Sequence, residues 1–373
     1  MFRFDRRLFE HFDMVLMLVI FLVCIMAFFN LYSASFPPKG YGTPPYIRQA
    51  YFFVVGFAAF VFVISFDYQE LHSWNYPFYG LIIFLLLFAY VAGDKAGGAQ
   101  RWINLGFFKL QPSEPAKLML VITLASYYSR REITDGYGIK DLFMPVLLTA
   151  IPFVLILLQP DLGTALMLGI IFVSMTVFVK LRVSTYVTMG SLAVGLGFFA
   201  WEKLLKPYQK QRIQTFLNPE KDPMGHGYQI LQSKIAVGSG GKLGKGYMEG
   251  TQGHLHFLPE RHTDFAFSVW GEEWGFVGSV VFIAAYFMLL LWGLYAAMHA
   301  KDRFGVLLAF GVVMLIFWQA VINLFMIMGF LPVVGIPLPL VSYGGSSLLT
   351  TMLGLGILMN VRMRRFQPSM PKD

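Results

Sequence analysis

Leu258-Pro259-Glu260-Arg261-His262-Thr263-Asp264-Phe265 runs straight into Ala266-Phe267-Ser268-Val269, so a polar loop ends on the apolar body of a long helical span. That loop, residues 204–263, carries Lys206, Lys210, Arg212, Lys221, Lys234, Lys242, Lys245 and Arg261, and nearly everything to either side of it is apolar. A soluble chain would distribute its charge more evenly. With 57% hydrophobic and 13% charged residues and a mean hydropathy of +0.61, the 373 residues read as a single all-α integral membrane domain, 1–373.

Apolar runs able to cross about 30 Å of hydrocarbon predict about ten transmembrane helices. They cover 13–31, 47–65, 77–91, 115–128, 142–158, 162–179, 184–201, 266–298, 304–330 and 346–361. Lys and Arg gather on the cytoplasmic side of short loops. Arg3, Arg6, Arg7, Arg130, Arg131, Lys140, Lys180, Arg182, Lys301, Arg303, Arg362, Arg364, Arg365 and Lys372 outweigh Lys39, Arg48, Lys95, Arg101, Lys109 and Lys117. Both termini are therefore expected in the cytoplasm and the long loop outside it. The first span is too long for a cleaved signal peptide and reads as an anchor. Cys24, the single cysteine, lies inside it as a small apolar residue.

A net charge of +8, with many of the cations in the outward loop, favours an anionic partner such as a phosphate-bearing lipid headgroup. No nucleic-acid recognition module accompanies the spans, so nucleic acid is not an expected partner. Within the loop, the glycines and lysines of 238–246 resemble an anion nest built around Lys242 and Lys245, with a flexible elbow as the alternative. Upstream, Tyr228, Ile230, Leu231, Ile235 and Val237 recur at near-helical spacing, as in a helix lying in the membrane interface. His254, His256 and His262 match no metal-ligand spacing. Asp264, at the membrane entrance, could act as a base or hold a divalent cation, or it or Thr263 could cap the following helix.

Three further polar constellations fall on the same expected face. Arg101-Trp102-Ile103-Asn104 leads to Gln111-Pro112-Ser113-Glu114-Pro115-Ala116-Lys117, where Glu114 and Lys117 share a helix face and can pair. Arg48 begins the second span, and Gln159-Pro160-Asp161-Leu162-Gly163-Thr164 breaks two others. The Pro- and Gly-rich stretch 331–345 is too broken to span and reads as a re-entrant segment lining a cavity, because unpaired backbone at membrane depth needs protein or water around it. Gly271 and Gly275 read as a close helix-packing pair.

Several of these stretches together resemble the SEDS family (shape, elongation, division and sporulation): 226–241, Phe257 to Phe265, Gln159 to Thr164, and the segment ending Ser342-Tyr343-Gly344-Gly345-Ser346-Ser347. The Gly250-Thr251-Gln252 and Pro259-Glu260-Arg261 variants, with a short N-terminus, look more like the elongation members. The resemblance implies a peptidoglycan glycosyltransferase of the bacterial cytoplasmic membrane that polymerises lipid II on the outer face. It implies Asp264 as the essential aspartate, Glu114 and Lys117 as its polar pair, and Arg48 and Arg101 at matching positions. A class B penicillin-binding protein and other rod-complex proteins are the implied partners. Ala266 departs from the family's commoner isoleucine.

The chemistry agrees. Joining a sugar hydroxyl to a pyrophosphate-linked sugar needs a base, for which Asp264 is the candidate. The leaving group needs cations, from Arg48, Arg101, Lys117 or a divalent ion (Mg or Mn), with Glu114 orienting Lys117. A lipid II flippase and a non-catalytic scaffold are the rival readings; no internal repeat supports the first, and the second leaves the outward charges without a role.

Overall fold

The computed structural model describes residues 11–36, 43–96, 99–104, 106, 108–131, 133–222, 225–254, 257–258 and 260–366. Arg3, Arg6, Arg7, Lys39, His256, Pro259 and Lys372 lie outside the described residues. Among the described residues the longer helices are α1 (Met14–Ser35), α2 (Pro45–Ser65), α3 (Asn75–Ala92), α4 (Ser113–Arg130), α5 (Phe143–Leu158), α6 (Leu162–Phe178), α7 (Val183–Phe199), α8 (Pro207–Leu217), α9 (His226–Ser239), α10 (Ala266–Met298), α11 (Arg303–Ile327) and α12 (Gly345–Met363). The chain is an all-α integral membrane protein.

Among the described residues, 8 helices are long and apolar enough to cross a membrane. The other two expected spans are α6, which is apolar but shorter, and α4, whose composition is diluted by Glu114, Lys117 and a run of Ser, Thr and Tyr. Nearly all of α4 is buried, packed against α3, α5, α6, α11 and α12. Its polar residues meet protein instead of hydrocarbon, which is why a hydropathy threshold passes over the most central helix. α7 is the opposite case, burying only Thr185 along its length.

Both ends of the bundle are tied. Asp13 caps α1 through Leu16 N at 3.0 Å, accepts from Trp292 of α10 at 2.9 Å and pairs with Arg362 of α12 at 2.9 Å. Arg364 pairs with Asp67 at 3.6 Å. The first and last helices therefore meet at one end, in accord with an even number of crossings. A three-stranded antiparallel sheet, β1 (Asp94–Ala96), β2 (Ala99–Asn104) and β3 (Lys109–Leu110), covers the other end between α3 and α4. The all-α reading did not anticipate it, although Arg101-Trp102-Ile103-Asn104 carries strand-forming residues beside a turn.

The long span 266–298 is corrected by the structure. α10 breaks at Gly275 (φ 62°, ψ −157°), a backbone state open to glycine. The ring of Phe267 lies 5.3 Å from that of Phe282, and Trp270 donates to Gly278 O at 3.0 Å. Along an unbroken helix the two phenylalanines would be roughly 20 Å apart. Residues 266–274 thus form an arm folded back against the membrane-crossing remainder, and Gly275 is the corner of that hairpin, not half of a helix-packing pair. Gly271 does serve close packing, since a Cβ there would lie 3.2 Å from Val237 of α9.

Between α11 and α12 the chain runs without helix or strand, burying Val333, Ile336, Leu338, Leu340 and Val341. Its backbone is satisfied side chain by side chain. Asn323 donates to Ile336 O at 2.8 Å, Tyr286 to Pro339 O at 2.7 Å and Gln49 to Ser342 O at 3.3 Å, while Leu338 N donates to Ser342 Oγ at 2.9 Å. The first turn of α6 closes on the same segment, because a Cβ on Gly163 would sit 2.5 Å from Val334 O. Gly163→Ala is expected to lower thermal stability in detergent by about 1–3 kcal/mol. Gly169→Ala, whose nearest neighbour would be 3.9 Å away, should leave the melting temperature unchanged or raise it.

Candidate active site

At the sheet-covered end of the bundle, a cavity of about 600 Å³ is lined from every polar constellation of the sequence except α2 and the glycine-rich loop. Arg101 and Trp102 come from β2, Gln111 and Glu114 from the start of α4, Asp161, Gly163 and Thr164 from the α5–α6 break. Tyr208 and Arg212 come from α8, Gln229 from α9, Glu260, Thr263 and Asp264 from the turn before the α10 arm, and Val333 to Ser347 from the irregular segment and α12.

Asp264 is fixed by its backbone. Thr263 N and Phe265 N both donate to Glu260 O, at 3.1 and 3.3 Å, with Glu260 itself in the left-handed region at φ 55°. Asn323, fully buried on α11, donates to Asp264 O at 2.9 Å and so joins this turn to Ile336 of the irregular segment. Ser342 donates to Thr263 O at 2.5 Å, and Tyr343 N to His262 O at 2.8 Å. The capping alternative does not hold, because Phe265 is the N-cap residue of α10 and makes no side-chain bond, and Thr263 donates instead to Glu260 Oε2 at 2.9 Å. The carboxylate is left facing the cavity, with Gly335 so close that a Cβ there would lie 3.5 Å from Oδ2.

Burial raises the Asp264 carboxyl above its ordinary 3.8, to about 6; Glu260 and Asp161 push the same way and Arg212 opposes them. A base poised just below neutral pH is suited to taking a proton from a hydroxyl.

Arg101 is committed to the wall. Its Nε donates to Gln159 O at 2.8 Å, an Nη to Pro160 O, and Nη1 lies 3.8 Å from Asp161. Gln111 reaches Asp161 at 3.3 Å while Ser346 ties Gln111 N to Lys109 O. Asp161 also caps α6 at Thr164 N. Lys117 pairs with Glu114 at 2.8 Å, and both are buried, but only Glu114 lines the cavity. The order is thus the reverse of the expected one: Lys117 stands behind Glu114 and fixes it. Arg212 faces the cavity half-buried and holds no ion pair or hydrogen bond among the described residues.

Other expected positions lie off the cavity lining. Arg48 is exposed and donates to Thr43 at 3.1 Å, one residue before Gln49, which binds the irregular segment. Lys242 is exposed, and Lys245 pairs with Glu272 at 2.6 Å. The anion nest of 238–246 is not formed, because Lys245 N and Gly246 N donate to Glu272 O and Glu273 O of α10 at 3.1 Å each. Nor is α9 a free interfacial helix: Ile230 and Ala236 are buried, and Ser233 bonds both Ser268 and Ile327 O at 2.8 Å. Among the described residues no group of three or more His, Cys, Asp and Glu side chains is arranged to hold a metal ion.

Arg212, Tyr208, Gln229 and Asn323 were not singled out by sequence. Arg212 was one of many loop cations, and only the fold of α8 aims it inward. Asn323 did leave a signal, as one of two amides, with Gln319, within an apolar helix.

Comparison with known proteins gives a consistent result. The FtsW, RodA and SpoVE family, described as cell cycle protein, matches residues 13–367. Peptidoglycan glycosyltransferase MrdB of Escherichia coli (strain K12) is 36% identical over 360 residues, covering 95% of this chain and 94% of its own. Among solved structures, a chain of a peptidoglycan synthase complex, solved in work on the structural coordination of polymerization and crosslinking, superposes with a TM-score of 0.82 at 35% identity, covering 96% of this chain and 99% of its own. The rod shape determining protein RodA of Thermus thermophilus superposes with a TM-score of 0.70 at 30% identity, covering 96% and 98%.

A half-buried carboxylate with a raised pKa destabilises the fold in its charged form. Above about pH 6 the penalty is complete, at most about 3 kcal/mol and less to the extent that cavity water screens it. It disappears as pH falls towards the unfolded value near 3.8. Asp264→Asn should therefore melt higher than the parent at pH 7–8, and the difference should close between pH 6 and pH 4 in thermal unfolding of the detergent-solubilised protein.

Proposed function

This chain belongs to the FtsW, RodA and SpoVE family of cell cycle proteins and is a peptidoglycan glycosyltransferase, in which we propose that Asp264 activates the attacking sugar hydroxyl. The observation that carries this reading is a cavity at the sheet-covered end of the bundle lined both by Asp264, whose carboxyl pKa is raised by burial, and by Arg212, which makes no hydrogen bond or close ion pair among the described residues. The substrate is lipid II, an undecaprenyl-pyrophosphate-linked disaccharide-peptide. The end of the bundle where α1 begins and α12 ends is cytoplasmic, and the cavity opens on the opposite face, where a flipped lipid-linked sugar arrives.

In the reaction, Asp264 accepts the proton of the acceptor 4-OH as that oxygen bonds to the donor's anomeric carbon with inversion. The anomeric carbon–oxygen bond breaks, and its electron pair leaves with undecaprenyl pyrophosphate. That leaving group needs no protonation; it needs positive charge, which Arg212 provides directly. Arg101 keeps the Gln159–Asp161 wall in place, and Lys117 holds Glu114 at the cavity edge. Arg48, at the rim, meets the headgroup region. A divalent cation, Mg²⁺ or Mn²⁺, would be held by the cavity carboxylates Asp161 and Glu260 and would supply positive charge to the leaving group. Lys242 and Lys245 lie away from this chemistry and bear on the loop.

A single-span class B penicillin-binding protein is the proposed partner, supported by the likeness to a chain of a peptidoglycan synthase complex. Its crosslinking would follow directly on strand growth, and other rod-complex proteins would assemble with the pair.

Glycan synthesis from purified lipid II tests the assignment. Asp264→Asn should lose about 10²–10⁴-fold in turnover while remaining folded; near-parental turnover removes Asp264 from the chemistry. Parental kcat should fall about tenfold per unit below pH 6 as the base becomes protonated. Arg212→Ala should cost at least about tenfold in kcat/KM, partly restored by Arg212→Lys.

A further inference from the structure

We propose that the glycine-rich segment 238–246 is a positioning element for the reaction: threaded through the break in α10, it sets the height and tilt of the arm that carries Asp264. The inference rests on the reading of Asp264 as the base.

Breaking α10 at Gly275 orphans the last carbonyls of the arm and the first amides of the helix beyond it. The loop satisfies both sets. Lys245 N and Gly246 N donate to Glu272 O and Glu273 O at 3.1 Å, while Phe276 N and Val277 N donate to Gly241 O at 2.9 Å and Lys242 O at 3.1 Å. The fit is close enough to require glycine. A Cβ on Gly240 would lie 2.1 Å from Gly271 O, and one on Gly244, at φ +85°, would lie 2.0 Å from Glu273 O. Lys245 Nζ adds an ion pair to Glu272 at 2.6 Å, on a carboxylate that also accepts Thr251 N at 2.8 Å.

The arm is a rigid helical rod of about 13 Å. At its Asp264 end the arm is held mainly through backbone oxygens, with Asn30 donating to Ala266 O at 3.0 Å, Asn323 to Asp264 O and Ser342 to Thr263 O, and with Ser233 on Ser268 at 2.8 Å. Because the arm is one helix, a shift imposed at the Gly275 end strains these bonds and displaces the carboxylate, and about 1 Å of misplacement at a reacting group costs up to 10²-fold. Glycines and a lysine that never reach the substrate thereby govern the rate.

The test uses the full-length protein in bilayers with lipid II as the probe, comparing Gly240→Ala, Gly244→Ala, Lys245→Ala and Lys245→Arg, with the exposed Leu243→Ala as control. Folded glycine variants and Lys245→Ala should lose about tenfold or more in kcat, with KM within about twofold of the parent. The acid limb of their pH–rate profile should move away from about 6, and Lys245→Arg should restore both. A role confined to folding would reduce the amount of active protein without moving that limb. Should the glycine variants not fold, the Lys245 pair decides alone. Parental kcat and an unmoved limb in Lys245→Ala, with Asp264→Asn inactive, would sink the positioning inference only. Turnover by Asp264→Asn would bring down the base assignment together with it.

Discussion

One buried amide joins the two irregular segments on which the site depends. Asn323 donates to Asp264 O and to Ile336 O, so the turn bearing the carboxylate and the Pro-rich strand opposite it share a single anchor on α11. Neither segment satisfies all of its own backbone groups, so the remainder depend on side chains from neighbouring helices. Removing the amide would leave two carbonyls without partners, each a loss of about 1–3 kcal/mol. The position of Asp264 is thus a result of backbone bookkeeping more than of contacts made by its own side chain.

Around that anchor, the charges divide by whether they have partners. Arg101 is held by two carbonyls and Asp161, Lys117 by Glu114 and Lys245 by Glu272. Such pairs shape walls, because a buried ion that is already matched contributes little to a ligand. Arg212 is different, since it makes no hydrogen bond or close ion pair among the described residues, and a cavity-facing guanidinium with a carboxylate of raised pKa gives the cavity two chemically distinct poles.

The sequence made much of this legible. Ten apolar stretches, the Pro/Gly interruption before the last helix, and the charged motifs at Arg101, Glu114, Asp161 and Asp264 can each be read from residue type and spacing. What could not be read depends on tertiary packing. Hydropathy does not reveal that α10 doubles back, since Ala266, Phe267, Val269 and Trp270 of the arm continue the apolar run of the crossing half, and the interruption at Glu272, Glu273 and Gly275 fits a packed helix as well as a corner. Lys242 and Lys245 looked like phosphate ligands because glycines beside lysines suit anions, whereas the Lys242 carbonyl and the Lys245 N–H complete a broken helix. Arg212 had no such motif and lines the cavity because α8 folds over it.

The doubled-back arm also bears on how a chain of this kind is mapped. It lengthens the hydrophobic run without adding a crossing, so the parity of the topology survives even though the longest segment is drawn wrongly. A labelling experiment that assigned sidedness from the two ends of 266–298 would find the first end below the rim on the cavity side, shielded from bulk reagent without having traversed the bilayer.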